Sequence, residues 1–278
     1  MKIRKFIELA IQEDVKGGDH SSLSCISKTN NAEVKLLVKE NGIIAGVNIA
    51  KEIFYYIDNK SNFEELISDG NKVNVGDIVF KVSGNSRKIL IAERLVLNVM
   101  QRMSAIATLT SKYVKELEGL NTKILDTRKT TPLIRFLEKE AVIIGGGYNH
   151  RMGLYDMIML KDNHIDIAGG IENAILKTKQ YLKTKELNLK IEIETRNLEE
   201  VKEVLKVGLI DRIMLDNFNY KYLTEAVKLI NGKYETEASG GINLKTVRNY
   251  AECGVDFVSV GALTHSVCNM DLSLKAII

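Results

Sequence analysis

The sequence predicts an α/β protein built around a parallel barrel, with a smaller α+β layer before it. From about residue 90 onward, short apolar runs alternate with stretches of helical period, and each run ends in a polar or glycine-rich tail. The later tails, at Glu194, Asp216, Ser239 and Gly261, recur about every 22 residues, which is the length of one strand and a return helix. In a βα barrel such tails meet at the carboxyl ends of the strands.

About seven apolar runs are predicted barrel strands. They are Lys123–Leu125, Ala141–Ile144, Met157–Leu160, Leu189–Ile193, Arg212–Leu215, Tyr234–Ala238 and Phe257–Val260. Because a closed barrel of this type has eight strands, we expect an incomplete or distorted one. A doubly wound sheet is the alternative, but no turn of the G-x-G-x-x-G type follows the first strand.

The first hundred residues predict a smaller α+β layer with one covered face. A first helix is indicated by apolar residues at helical spacing, namely Ile3, Phe6, Ile7, Ala10 and Ile11. The predicted strands of the layer are Val34–Val38, Gly42–Ile49, Asp77–Val82 and Lys88–Ala92, with turns at 68–70 and 83–85. A long amphipathic helix is predicted over Glu93–Ser111.

Bulk composition excludes several classes of protein. The net charge is +3, from 39 basic and 36 acidic residues, which gives no argument for a nucleic-acid or membrane-surface partner. Cys25, Cys253 and Cys268 have neither C-x-x-C nor finger spacing, so we expect reduced thiols and no zinc site. Glu8 interrupts the first apolar stretch, and no run of about 18 apolar residues exists. We therefore expect a soluble, cytoplasmic protein.

A cationic group is predicted at the mouth of the barrel. Its members follow predicted strands or lie in the loops beside them: Arg128, Lys129, His150, Arg151, Lys161 and His164. So many cationic groups would repel one another unless a polyanion lay between them. Arginine suits carboxylate or phosphate, because its planar fork donates paired hydrogen bonds. The plainer interpretation, that Arg128 and Lys129 lie on a solvated loop, is less favoured for the group as a whole.

An acidic group is predicted beside it. Glu192 and Glu194 lie two apart on one strand and so share a face, and Asp216 ends the next strand. Carboxylates at neighbouring strand ends suit Mg²⁺ held partly through a phosphorylated substrate. The alternative is that they neutralise nearby arginine and lysine, and Glu192 fits that alternative better than Glu194 or Asp216 does.

Two glycine-rich tails predict a phosphate site. Ser239-Gly240-Gly241 ends the penultimate strand and Gly261 the last, where backbone without side chains lets N–H groups approach phosphate oxygens. The Gly145-Gly146-Gly147 run does not fit a P-loop and predicts a tight turn or a close approach of backbone to ligand. Pro132 predicts a helix start, with Thr131 as the N-cap.

The chain contains several long polar or glycine-rich motifs, namely Asp126-Thr-Arg-Lys-Thr-Thr-Pro132, Gly145-Gly-Gly-Tyr-Asn-His-Arg151, Lys161-Asp-Asn-His164, Met214-Leu-Asp-Asn217, Glu237-Ala-Ser-Gly-Gly-Ile242 and Ser259-Val-Gly-Ala-Leu-Thr-His-Ser266. These motifs resemble those of the quinolinate phosphoribosyltransferase family. Shorter upstream segments around Glu13-Asp14, Gly42 to Gly46 and Glu93 to Ser104 are also similar. The resemblance runs almost end to end, with small departures at His20-Ser21 and Ala105.

The resemblance implies a reaction and an architecture. Quinolinate would attack C1 of 5-phosphoribosyl-1-pyrophosphate (PRPP), with loss of pyrophosphate and CO₂, to give nicotinate mononucleotide for NAD biosynthesis. It implies an N-terminal open sandwich over residues 1–105, completed by the tail 268–278, and an incomplete TIM-like α/β barrel over residues 106–267. It also implies a homodimer or a higher even homo-oligomer, with Arg102 reaching into the partner's site.

The same resemblance assigns roles to residues. Quinolinate would be held by a cationic set comprising Arg102, Arg128, Lys129, His150, Arg151 and Lys161. PRPP would be held by Glu194, Asp216, Ser239, Gly240, Gly241 and Gly261, with His265 nearby. Glu194 and Asp216 would also serve Mg²⁺, directly or through PRPP, and Lys161, Glu194 and Asp216 are the predicted catalytic residues.

Three other functions fit parts of the pattern. A molybdenum-associated paralogue shares this fold, but the intact cationic set argues against it. A lyase or aldolase would use Lys161 as a Schiff base. A regulator that binds a phosphometabolite would bind PRPP without turnover.

Overall fold

The computed structural model describes residues 3–277 as twelve strands and eleven helices. Met1, Lys2 and Ile278, which belong to the predicted first domain and tail, lie outside the described residues. The strands are β1 Asn31–Val38, β2 Gly42–Ile43, β3 Asn62–Glu65, β4 Lys72–Val73, β5 Ile78–Asn85, β6 Lys123–Leu125, β7 Ile158–Leu160, β8 Ile191–Thr195, β9 Arg212–Asp216, β10 Glu235–Ser239, β11 Phe257–Ser259 and β12 Leu272–Ala276. The helices are α1 Ile3–Val15, α2 His20–Cys25, α3 Val47–Ile57, α4 Ser86–Glu116, α5 Arg135–Ile144, α6 Asp162–Ala168, α7 Ile171–Lys185, α8 Leu198–Val207, α9 Tyr220–Ile230, α10 Val247–Glu252 and α11 Ala262–His265.

The chain forms two compact units. The first comprises the described residues up to Ser111, the segment Thr130–Gly146 and the chain from Leu263 onward. The second comprises Lys112–Lys129 and Gly147–Ala262. No helix among residues 3–277 is both long and apolar enough to cross a membrane.

The first unit contains an antiparallel sheet of four strands in the order β12-β1-β5-β3. In β1 the side chains of Val34, Leu36 and Val38 are buried, which follows from the alternation of faces along a strand. Phe63 of β3 and Phe80 of β5 pack with ring centroids 4.7 Å apart. The strand β12 pairs with β1, so the end of the chain contributes to this sheet.

The second unit contains a parallel sheet of six strands in the order β6-β11-β10-β9-β8-β7. Within this sheet, the strand that comes last in the sequence, β11, pairs with the strand that comes first, β6. Such a pairing occurs when a sheet of βα repeats curls toward a barrel. A parallel bridge from Leu125 to Tyr148 adds a seventh extended segment beside β6. Among the described residues no pairing joins β7 to that edge, so the predicted incomplete α/β barrel is confirmed, and the doubly wound alternative is wrong.

Two predicted strands are wrong because short apolar runs fit a strand or a helix equally well. The run Ala141–Ile144 forms the end of α5, where Leu137, Ala141 and Val142 are buried at helical spacing. The run Lys88–Ala92 lies in α4, which begins at Ser86 and continues beyond the predicted limit.

Three boundaries also differ from the prediction. The strand predicted over Gly42–Ile49 extends only to Ile43, and α3 begins at Val47. The turn predicted at 83–85 is part of β5. Helix α5 begins at Arg135, not at Pro132, because Leu133 has a φ of 68° and interrupts helical geometry between them.

Candidate active site

Polar residues collect at the carboxyl edge of the parallel sheet. Lys161 directly follows β7, Glu194 lies near the end of β8, Asp216 ends β9 and Ser239 ends β10. Asp216 and Ser239 are register partners, so these two strand ends are level. Because parallel strands end at the same edge, the sheet brings the four predicted residues to one side of the second unit.

Lys161 and Glu194 form an ion pair at this edge. The Nζ of Lys161 lies 2.9 Å from the Oε2 of Glu194, and the side chains are 47% and 10% exposed, respectively. The backbone N–H of Lys161 donates to Nδ1 of His164 at 3.0 Å, which caps α6. His164 therefore has a structural role here, whereas the ammonium group of Lys161 remains open to solvent.

Asp216 is held by two side chains. The hydroxyl of Ser239 donates to Oδ1 of Asp216 at 2.6 Å, and the side-chain amide of Asn217 donates to Oδ2 at 2.6 Å. The backbone N–H of Asn217 donates to the carbonyl of Ser239 at 2.8 Å. These bonds link the loop after β9 to the loop after β10.

The loop after β10 needs glycine at its first position. Gly240 has a φ of 103°, and a Cβ atom there would lie 2.1 Å from Oδ1 of Asn217. Gly241 has a φ of 62°, but a Cβ there would meet no atom within 4 Å. Gly261 lies two residues after the end of β11 in the same unit. The open space at Gly241 would let a phosphate oxygen approach the backbone there.

The remaining cationic residues lie at the ends of β6 and of the bridged segment. Arg128 and Lys129 are exposed in the loop after β6. Arg151 is half-buried, and its Nη1 donates to the carbonyl of Met157 at 3.2 Å. Burial and the neighbouring charge of Arg128 lower the pKa of the Arg151 guanidinium. Two guanidinium groups that repel each other in this way favour an anion between them.

A buried cluster lies among the strands of the same unit. His150 Nε2 is 2.8 Å from Glu192 Oε2 and 3.5 Å from Glu237 Oε2, and Arg212 Nη1 is 2.9 Å from the same Glu237 oxygen. The side chains of Glu192 and Glu237 are 0% exposed, and that of His150 is 5% exposed. The structure therefore places His150 among carboxylates inside the unit, with little of its ring open to solvent.

The pKa values of this cluster are shifted by burial and by mutual charge. Burial alone would lower the pKa of His150, but hydrogen bonds with Glu192 and Glu237 outweigh burial and raise it to about 9. Burial and the charge of Glu237 raise the pKa of Glu192 to about 7. Burial opposes ionisation of Glu237 too, but His150 and Arg212 lower its pKa.

Sequence reasoning missed Glu237 and Arg212 as members of a functional cluster. The sequence favoured an ion pair between Glu192 and a nearby arginine or lysine. In the structure Glu192 pairs with His150 instead. The sequence did contain a sign of this cluster. Strand β8 carries the Glu-x-Glu pattern at Glu192 and Glu194, and strand β10 carries it at Glu235 and Glu237. Such patterns place two carboxylates on one face of a strand.

Arg102 and His265 belong to the first unit. Arg102 Nε donates to Glu138 Oε1 at 2.9 Å, Nη1 donates to the carbonyl of Val267 at 3.1 Å, and Nη2 donates to the carbonyl of Thr264. Glu138 is completely buried and also accepts the N–H of Thr131 at 3.0 Å. Arg102 also lines a cavity of about 320 Å³ within this unit, together with Glu13, Asp14 and Arg94.

Family patterns match nearly the whole chain. The pattern for the C-terminal domain of quinolinate phosphoribosyl transferase matches residues 106–275, and that for its N-terminal domain matches residues 19–104. This chain belongs to the quinolinate phosphoribosyltransferase family. The resemblance noted in the sequence is thereby confirmed, and with it the expectation of a phosphoribosyltransferase.

Individual proteins similar to this chain carry names from the same family. The chloroplastic nicotinate-nucleotide pyrophosphorylase (carboxylating) of Arabidopsis thaliana is 48% identical over 288 residues, covering 98% of this chain and 82% of that protein. The probable nicotinate-nucleotide pyrophosphorylase (carboxylating) of Bacillus subtilis is 40% identical over 276 residues, covering 99% and 93%. The crystal structure of NadC from Streptococcus pyogenes superimposes with a TM-score of 0.93 at 37% identity, covering 99% of this chain and 97% of that one. These relatives give no support to the molybdenum-associated alternative.

Proposed function

We propose that this chain transfers the phosphoribosyl group of PRPP to the ring nitrogen of quinolinate, with release of pyrophosphate and CO₂, to give nicotinate mononucleotide. The supporting observation is the carboxyl edge of the barrel, where the Lys161–Glu194 ion pair shares an edge with the Asp216–Ser239–Gly240 loop. In a member of this family, that edge offers one region for an anionic ring and another for a phosphorylated sugar.

The quinolinate region is proposed to comprise Arg128, Lys129, Arg151 and Lys161, with His150 behind them. Quinolinate carries two carboxylates, and bidentate guanidinium contacts fix both the position and the orientation of such groups. The repulsion between Arg128 and Arg151 supports this assignment, because a bound carboxylate would relieve it.

The PRPP region is proposed to comprise Glu194, Asp216, Ser239, Gly240, Gly241 and Gly261, with His265 as a further contact. Carboxylates suit the ribose hydroxyls, and the uncovered backbone of the glycine loop suits the 5′-phosphate. The fixed geometry of the Asp216–Ser239 hydrogen bond at 2.6 Å supports a preorganised site.

The reaction needs positioning more than a covalent nucleophile. As the bond from C1 to pyrophosphate breaks, positive charge develops on the ribose, and the ring nitrogen of quinolinate donates its electron pair to C1. The adjacent carboxylate then leaves as CO₂, and its electron pair stays on the ring carbon, stabilised by the neighbouring cationic nitrogen until a proton is taken up. The cationic residues would orient the ring, and Glu194 and Asp216 would lie near the developing charge.

Mg²⁺ is proposed as a cofactor that enters with PRPP. Glu194 and Asp216 offer carboxylates at neighbouring strand ends, which fits an ion that binds through one or two carboxylates plus substrate phosphates. Both carboxylates already accept hydrogen bonds from protein groups, which favours contacts made largely through the phosphates. When bound, Mg²⁺ would supply charge neutralisation for the departing pyrophosphate.

Arg102 is proposed to complete the quinolinate site of a partner subunit in a homodimer or a higher even homo-oligomer. Arg102 lines a cavity of about 320 Å³ in the first unit, which supports access by another molecule. Because Arg102 already binds Glu138, a substrate carboxylate would have to compete with that buried carboxylate.

The domain division and the location of the protein are also proposals. We propose a first domain of residues 1–105 with the tail 268–278, and a catalytic domain of residues 106–267. The family patterns support the boundary near residue 105, and the pairing of β12 with β1 supports the assignment of the tail. The segment Thr130–Gly146 lies within the catalytic domain in sequence but belongs to the first compact unit. A cytoplasmic location is supported by three cysteines that are all free thiols. Subcellular fractionation would test it.

The decisive assay combines quinolinate, PRPP and Mg²⁺ and follows nicotinate mononucleotide by NMR or liquid chromatography. We expect product in equal amounts with pyrophosphate and CO₂. PRPP binding without any turnover would instead indicate a regulator. A covalent adduct trapped by borohydride on Lys161 would indicate a lyase or aldolase, and either result would overturn the proposal.

A further inference from the structure

The cluster of His150, Glu192, Arg212 and Glu237 lies beneath the proposed substrate groups. Glu192 is two residues before Glu194 on β8, so both side chains lie on one face of that strand, with Glu192 farther from the carboxyl edge. The four side chains contact one another at 2.8 to 3.5 Å inside the second unit. Charged groups at this depth are costly unless they are paired, so the cluster requires an explanation.

A metal site is the first explanation to consider. Ligand atoms of His150, Glu192 and Glu237 all lie within 4.8 Å of one another, and among residues 3–277 they form the one such group of three. However, the backbone N–H of Arg151 donates to Nδ1 of His150 at 2.7 Å. A neutral imidazole has one proton, so an accepting Nδ1 places that proton on Nε2, the atom that faces both carboxylates. A protonated Nε2 cannot bind a metal ion.

The same hydrogen bond decides where protons lie in the cluster. A second ring proton, on Nδ1, would point directly at the amide hydrogen of Arg151, which has a fixed direction. The contacts of Nε2 with Glu192 and Glu237 raise the pKa of the imidazole, but the amide hydrogen of Arg151 opposes a second ring proton at Nδ1. We take this geometry as decisive, so the ring keeps one proton, on Nε2, and the two carboxylates keep their charge. Arg212 supplies the fixed positive charge, through contacts to Glu237 at 2.9 Å and Glu235 at 3.0 Å.

We propose that Glu192 and Glu237 are positioning residues that fix the Nε2–H tautomer of His150, so that Nδ1 accepts the amide hydrogen of Arg151 and holds Arg151 in place for a substrate carboxylate. The inference rests on the proposed function in one respect, that Arg151 binds quinolinate. His150 then acts through Arg151 and makes no direct contact with the substrate.

Two further contacts help to hold the His150–Arg151 segment, through which the tautomer of His150 would affect the position of Arg151. The backbone N–H of His150 donates to Asp126 at 2.8 Å, and Nη1 of Arg151 donates to the carbonyl of Met157 at 3.2 Å. The His150–Arg151 segment is thus held at its amide groups, at the imidazole ring and at the guanidinium. Loss of the ring contact would free the backbone of Arg151, and a small misplacement of a substrate-binding group has a large kinetic cost.

The first test is the tautomer itself, read by NMR of the full-length protein labelled with ¹⁵N-histidine at neutral pH. The chain has 4 histidines, and the spectrum of a His150→Asn variant assigns the His150 signals. We expect a protonated Nε2 and an unprotonated Nδ1 in the wild type. A protonated Nδ1 would overturn the inference, whatever the variants do.

The second test compares Glu192→Gln and Glu237→Gln with Glu235→Gln. Glu235 also pairs with Arg212, but its side chain is 38% exposed, which makes it a matched control. An amide in place of Glu192 or Glu237 removes the charge that favours Nε2–H. We expect KM for quinolinate to rise at least about tenfold with KM for PRPP within about twofold, and the control within about twofold of wild type.

The third test separates positioning from direct contact. Asparagine at position 150 can place its side-chain oxygen where Nδ1 accepts the Arg151 amide hydrogen, whereas phenylalanine keeps only the bulk of the ring. We expect His150→Asn to retain at least about tenfold more kcat/KM for quinolinate than His150→Phe. Equal losses would indicate direct contact and overturn the inference.

The tests also separate this inference from the proposed function. If Arg151→Ala leaves KM for quinolinate unchanged, the substrate role of Arg151 is wrong even though the tautomer stands. If Arg151→Ala raises that KM but Glu192→Gln and Glu237→Gln do not, the positioning role is wrong and the proposed function stands. Circular dichroism and melting curves confirm folding before each comparison.

Discussion

The ammonium nitrogen of Lys161 lies 2.9 Å from a carboxylate oxygen of Glu194, so one ion pair joins the ends of β7 and β8. The side chain of Glu194 is largely buried, whereas 47% of the Lys161 side chain is exposed to solvent. The lysine can therefore contact a ligand while Glu194 still holds it. Lys161 is therefore an ion-paired cation of the carboxyl edge that is open to a ligand.

Replacement of Lys161 by alanine is expected to lower kcat/KM for quinolinate at least about tenfold, equivalent to roughly 1.4 kcal/mol. The reason is loss of a positioned cation together with an unpaired Glu194 carboxylate. Steady-state kinetics measure the effect. Lys202→Ala is the control, because Lys202 pairs with Glu199 at 3.4 Å on the surface, where ion pairs contribute little. Wild-type kinetics for Lys161→Ala would remove it from the site.

Gly240→Ala is expected to be far more damaging than Gly241→Ala. The new methyl group would lie 2.1 Å from Oδ1 of Asn217, in a backbone conformation with a φ of 103°. We expect a loss of at least about 2 kcal/mol in the free energy of unfolding, together with weaker PRPP binding. Gly241→Ala meets no atom within 4 Å and should cost about 1 kcal/mol. Denaturant unfolding and calorimetry of PRPP binding measure both, and equal losses would contradict the proposed loop geometry.

Arg102→Ala mixed with Lys161→Ala is expected to recover activity if active sites are shared between subunits. Each mixed dimer would then contain one site free of both substitutions, and random exchange would restore about a quarter of the sites. The assay follows turnover after mixing, and labelled subunits demonstrate the exchange. No recovery despite exchange would show that Arg102 acts within its own subunit or not at all.

Lys88→Met is expected to destabilise the protein at neutral pH and to move its acid unfolding to higher pH. Burial opposes ionisation of Asp58, but hydrogen bonds from Lys88 and the backbone outweigh burial and lower its pKa. A lowered folded-state pKa adds stability above the unfolded-state pKa, and this stability is lost as pH falls through the folded-state value. Removing Lys88, whose Nζ is 3.0 Å from Asp58, should cost about 1 to 2 kcal/mol at neutral pH and move acid unfolding to higher pH.

The control for that prediction is Lys81→Met. Lys81 lies 3.7 Å from Glu64, and both side chains are about a third or more exposed, at 35% and 55%. Acid titration followed by circular dichroism should give the wild-type midpoint for this variant. An unchanged midpoint for Lys88→Met as well would show that Asp58 does not contribute to acid stability.

The strands of the barrel were predictable because buried parallel strands form nearly continuous apolar runs. The limits predicted for β8 to β11 fall within two residues of those observed, and β6 is the predicted segment itself. The two errors, at Lys88–Ala92 and Ala141–Ile144, came from apolar runs too short to distinguish a strand from a helix.

The site was predictable only at its carboxyl edge. Residues such as Lys161 and Asp216 follow from strand limits, because a strand end fixes the edge at which the next side chain lies. Arg212 and Glu237 did not follow, because charged residues within a strand usually indicate a solvent face. Their pairing depends on the register between β9 and β10, which the apolar runs do not determine.

The chain passes between its two compact units four times, after Ser111, after Lys129, after Gly146 and after Ala262. Neither unit is therefore a continuous stretch of polypeptide. A cut between the two family patterns, at residues 104 to 106, would leave the Thr130–Gly146 segment and the β12 strand with the wrong fragment. The two units therefore cannot be separated by any single cut of the chain, and each is complete only when all of its segments are present.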